Sequence, residues 1–100
     1  MNINLSKEAQ EWFQQEMQVK KGDHVRFFVR YGGSSPIQDG FSLGVTKDEP
    51  IDAAITLEEN GIVFYIEDKD VWYFDGHDLN VSYSEKYNGP QYDYSKNEQQ

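Results

Sequence analysis

The chain has 100 residues, with eighteen acidic against nine basic for a formal net charge of −9, and it contains no cysteine. Its length leaves room for one domain with one core, and its scattered Lys and Arg exclude the clustered basic surface that nucleic acid or an anionic membrane requires. Disulfides and thiolate ligands are both excluded, so stability must come from the aromatic residues, 15% of the chain, each of which buries a large area.

Residues 1–10 lack the basic start and apolar run of a secretory signal. No stretch reaches the roughly 20 apolar residues of a membrane span, so the cytoplasm is the expected compartment. Residues 6–20 read as the one long helix. Ser6 suits the N-cap, Glu8 complements the positive end of the dipole, and Ala9, Trp12, Phe13 and Met17 form an apolar stripe. Lys20 and Lys21 suit the other end, with Gly22 as the terminator. From His24 the period becomes 2. Val25, Phe27, Val29 and Tyr31 alternate with His24, Arg26, Phe28 and Arg30, the pattern of a half-buried strand.

A loop is expected over 32–40, then a strand carrying Phe41, Leu43 and Val45, a turn at 47–50 and a weaker strand over 51–57. Asn60–Gly61 is a hairpin dipeptide, and the apolar run 62–66 predicts a strand covered on both faces. The stretch 68–76 is ambiguous: Val71 to Phe74 favour strand, while Asp68 or Asp70 could cap a short helix closed by Gly76. Leu79, Val81 and Tyr83 alternate again. Tyr87, Tyr92 and Tyr94 suggest a last strand around a Gly89–Pro90 break. From Ser95 the chain is polar and expected to fray. One helix followed by short strands predicts an α+β fold with mostly antiparallel or mixed pairing.

Four constellations bear on chemistry. Ser34 and Ser35 follow a strand beside Gly32 and Gly33, but no nucleophile-elbow pattern surrounds them, and Gly32–Gly33 lacks the Lys-Ser/Thr of a phosphate loop. No catalytic residue is assigned. Asp75, His77 and Asp78 are ligand types for a hard or borderline metal. Arg26 and Arg30 share a strand face and could meet an anionic partner. The tyrosines at 83, 87, 92 and 94, with Trp72 and Tyr73, are either core or partner-facing, since Tyr and Trp are enriched at interfaces.

In order, Ile3 to Ser6 leading into the helix, Phe28 to Ser35, Phe41 to Leu43, the Asp48–Pro50 turn and Phe74–Gly76 followed by Leu79 resemble the HesB/IscA-like family of A-type iron–sulfur biogenesis proteins. The resemblance, over roughly residues 2–90, implies a small β-sandwich with a packed N-terminal helix; the domain is expected to span residues 1–94, with the polar residues 95–100 as a flexible tail. It also implies a short helix at about 69–75 and a tendency to form homodimers. Its activity rests on three cysteines, one in the loop after the first strand and a Cys-Gly-Cys near the C-terminus. Here Ser34 stands at the first, and residues 91–100 offer no sulfur. A thiolate-ligated iron–sulfur cluster is therefore excluded, because a serine hydroxyl is a poor ligand, and no other cofactor is expected. What remains is a non-enzymatic, cysteine-less member acting as a binding or regulatory module. Its expected protein-contact residues are Gly33, Ser34, Ser35, Tyr92 and Tyr94. The alternative is a metal binder using Asp75, His77 and Asp78.

Overall fold

A computed structural model describes residues 1–96 of the chain. The fold is α+β, with seven strands in two mixed sheets around one core. Strand β1 (Ile3–Leu5) opens the chain and pairs in parallel with the later strand β6 (His77–Ser84), Ile3 beside Leu79 and Leu5 beside Val81. The sequence pattern missed it, because three residues are too short to show a period. Ile3 turns into the core while the Asn4 amide donates to Asn80 Oδ1 at 2.9 Å on the outer side.

Helix α1 (Lys7–Glu16) follows at once, with Ser6 Oγ accepting from the Ala9 N–H at 3.1 Å as the N-cap reading predicts. It ends earlier than expected. Gln18 takes the left-handed conformation assigned to Gly22, which turns the buried Val19 back into the core. Gly22 serves the next turn instead, donating its N–H to Gly61 O at 2.9 Å.

Strands β2 (His24–Ser34) and β3 (Asp39–Lys47) form a long antiparallel ribbon, so most of the expected 32–40 loop is strand. The pairing continues because Gly32 and Gly33 absorb a bulge between Tyr31 and Ser34 at φ +114° and +67°, where other residues are strained. Strands β4 (Ala53–Glu59) and β5 (Ile62–Glu67) are joined by Asn60–Gly61, both at positive φ as a two-residue hairpin requires. β5 pairs in parallel with β2, giving the order β3-β2-β5-β4. Its outer face is covered as predicted: Tyr65 is fully buried and donates to Asp48 O at 2.9 Å. Glu67 accepts from the Ile51 and Asp52 N–H groups at 2.9 and 2.7 Å.

Residues Asp68–Phe74 form a 3₁₀ helix, which resolves the ambiguous stretch in favour of helix. Neither Asp68 nor Asp70 caps it. Glu67 holds the N-cap position with its carboxylate on the Ile51 and Asp52 N–H groups rather than on the helix, and Asp75 in left-handed conformation ends it. Asp70 instead pairs with Arg26 at 2.9 Å, both largely buried. Arg26 is thereby committed inside the fold. The second sheet has the order β1-β6-β7, with β7 spanning Gly89–Lys96. Pro90 is tolerated because β7 is an edge strand. Tyr87 falls in the turn before it and is exposed, against expectation, while Ser95 and Lys96 pair with Asp78 and His77 rather than fraying. Residues 97–100 of the expected tail lie outside the described residues.

The core is an aromatic junction. Phe27 of β2 meets Phe13 of α1 at 6.0 Å, Phe64 of β5 at 6.3 Å and Tyr92 of β7 at 6.1 Å between ring centroids. A Phe27→Ala substitution is expected to cost about 3–5 kcal/mol. Tyr31→Ala, two turns of the pleat further along the same strand but 93% exposed, is expected to stay within about 0.5 kcal/mol of the parent. Urea unfolding followed by circular dichroism distinguishes the two.

Candidate functional site

The β2–β3 ribbon, the 3₁₀ helix and β7 converge on a small pocket of about 180 Å³ lined by Ser34, Ser35, Pro36, Ser42, Leu43, Tyr73, Tyr92 and Tyr94. Four of the five residues expected to form a contact surface line it, and Gly33 adjoins it, where an added Cβ would meet Ser42 Oγ at 3.4 Å. The alternation of β7 accounts for the tyrosines. Tyr92 and Tyr94 turn inward while Asp93 faces solvent. Tyr73 is fully buried and its hydroxyl shares a 2.9 Å hydrogen bond with that of Tyr94. The sequence carried no signal for this pair, nor for Ser42 and Leu43, because their proximity depends on how the 3₁₀ helix docks.

The lining is hydroxylic and uncharged. Burial pushes the Tyr92 phenol up to about 12. Burial also raises Tyr94, with the hydrogen bond to Tyr73 adding to it. Both phenols therefore stay protonated. Ser35 Oγ is engaged with Gln38 N at 3.1 Å and Gln38 O at 3.3 Å, closing the end of the ribbon. Neither histidine is hydrogen-bonded to these serines: His24 Nδ1 lies 3.6 Å from Glu49 Oε2, and His77 Nδ1 is bonded to the carbonyls of Phe74 and Asp75 at 2.9 and 3.1 Å.

The proposed metal ligands are not assembled. Asp75 caps the 3₁₀ helix, His77 is turned onto backbone carbonyls, and Asp78 Oδ1 accepts from the Asn2 N–H at 2.8 Å. Among the described residues no three His, Cys, Asp or Glu side chains are grouped to hold a metal ion. A larger groove of about 480 Å³ beside α1 is lined by long side chains of mixed charge, including Lys7, Glu11, Lys20 and Lys21, and holds no comparable convergence. Among the described residues no helix is long and apolar enough to cross a membrane.

A family model described as iron-sulphur cluster biosynthesis matches residues 1–96. The chain belongs to that family. It is 53% identical over 94 residues to a pyruvate dehydrogenase inhibitor of Bacillus subtilis, an alignment covering 94% of this chain and 99% of the relative. It is 42% identical over 82 residues to an uncharacterised protein of Staphylococcus saprophyticus, covering 79% and 84% of the two chains. An uncharacterised Staphylococcus haemolyticus protein is 33% identical over 84 residues, covering 81% and 85%. The family's cluster does not fit these residues. Cluster iron is held by thiolates, whereas this family member has none and presents serine and protonated phenol groups in the pocket.

A titration tests the phenol environment. A folded-state pKa raised from the ordinary 10.0 to about 12 means that the native state retains a proton that the unfolded state has lost. That stability is complete below pH 10 and disappears as pH rises through about 12. Alkaline melting curves should therefore fall across this window, and a Tyr92→Phe variant should fall less steeply.

Proposed function

We propose that this chain is a cytoplasmic, non-catalytic regulator that inhibits pyruvate dehydrogenase by binding to it, without a cluster of its own. The observation that carries this reading is the 53% identity with a relative of that name, over nearly the full length of both chains. The chemistry around Ser34 is consistent with it. Loss of the sulfur ligands removes the family's cargo-handling capacity but leaves its frame available for contact. The neutral pocket and the aromatic residues around it, Phe41, Trp72 and Tyr94, are of the kind enriched at protein interfaces. The contact residues Gly33, Ser34, Ser35, Tyr92 and Tyr94 belong to this proposal as the site where the lost ligand loop is reused.

Adding the purified protein to purified pyruvate dehydrogenase complex, with NADH formation followed in real time, tests the proposal. The rate should fall to a plateau as inhibitor approaches the enzyme concentration. Pretreatment of the inhibitor with iron and sulfide under anaerobic conditions should not alter its potency. An undiminished rate at large molar excess would sink the inhibitor reading. Potency that depends on the iron treatment would sink its cluster-free form.

A further inference from the structure

Residues 31–38, from Tyr31 through Gln38, carry no charged side chain in a chain of which 27% of residues are charged. They form the far end of the β2–β3 ribbon. Burial decreases along β2, from the fully buried Val25 and Phe27 through the half-buried Val29 to Tyr31 at 93% exposure. The ribbon has outrun the core. Tyr31 stays on the apolar side of the alternation without a core to enter, and its ring meets Phe41 edge-on at 5.8 Å. Phe41 in turn meets Trp72, itself 49% exposed, at 5.2 Å. Three aromatic rings thus lie in sequence beside an uncharged tip. The tip is also held in place. Beyond the Ser35 hydroxyl contacts, Ser35 N and Phe41 N both donate to Gln38 O, at 3.3 and 3.4 Å, which lowers the ordering cost of a contact made through it.

We propose that the end of the β2–β3 ribbon is the element that enters the partner protein, with Tyr31 as anchor, in a cleft with an uncharged floor and a basic rim. This rests on the inhibitor reading above and specifies how that contact is made. The floor follows from the tip, because a charge buried against residues 31–38 would meet no opposite charge to offset its desolvation. The rim is matched to the chain as a whole: its net charge of −9 draws a basic surface at long range, while the exposed residues that flank the tip, Arg30 and Asp39, offset one another. Tyrosine suits the anchor role, being large, rigid and able to use its hydroxyl at the bottom of a pocket.

The test measures binding of purified pyruvate dehydrogenase complex to the unaltered chain, to Tyr31→Ala and to Tyr87→Ala. Tyr87 is a matched control, since it is 73% exposed but lies in the turn between β6 and β7. Tyr31→Ala should weaken binding by about tenfold or more, as loss of an anchor does, while Tyr87→Ala should match the parent. Amide exchange should slow over residues 31–38 in the complex, and association should slow markedly as salt rises. Equal binding by all three chains, or unprotected amides over 31–38, overturns the assignment while leaving the inhibitor reading standing. Salt-independent association overturns the basic rim. Absence of binding by the unaltered chain overturns both the inhibitor reading and this assignment.

Discussion

The fold depends on one meeting of aromatic rings. Phe27 is the place where the helix, the four-stranded sheet and the three-stranded sheet touch, through Phe13, Phe64 and Tyr92 respectively. A chain of this length has little interior to distribute, and with no disulfide available its sheets must be held by side chains that reach across. Large rings do this with few residues. The edge-on geometry of Phe27 with Phe13 and Tyr92 is also the favourable one for aromatic pairs.

That junction positions the candidate site. Tyr92 is at once a core contact of Phe27 and a wall of the pocket at Ser34, so the pocket cannot shift without disturbing the core. The 3₁₀ helix is also anchored by the Arg26–Asp70 pair, a largely buried charge pair whose disruption would leave an uncompensated charge. This fixes Tyr73 against Tyr94 and presents Trp72 to the outside. Where the family's chemistry calls for soft sulfur ligands, this chain has hydroxyls and rings, which offer hydrogen bonds and contact area in place of electron-rich ligation.

Much of this was legible along the chain. The N-cap at Ser6, the Asn60–Gly61 hairpin and the doubly covered β5 each depend on local chemistry, and each is found in the structure. The family resemblance was legible too, as was the exclusion of thiolate chemistry. Local pattern misled, or left a choice open, where a non-local contact outweighed local preference. Gln18, a poor left-handed residue, ends the helix because Val19 must be buried. The stretch 68–76, open between strand and helix on local pattern, is helical as the family resemblance implied, with Asp70 drawn inward to Arg26. Asp75, His77 and Asp78 have the right chemistry for a metal, but His77 and Asp78 are bonded to other groups and, among the described residues, no three such side chains are grouped to hold an ion.

The sequence by itself determined the alternation that makes the strands, the aromatic residues available for the core, the acidic surface and the absence of sulfur, since these are properties of residue type and spacing. Only the tertiary structure decided which tyrosines are walls and which are exposed. Tyr31 and Tyr94 both lie on strands whose alternation turns them to the apolar side, yet only Tyr94 finds an interior to enter. Tyr73 and Tyr94 are packed beside the core and share a hydrogen bond, while Tyr31 lies past the end of the apolar interior. The extent of the core is set by how the two sheets and the helix meet, and no local pattern encodes it.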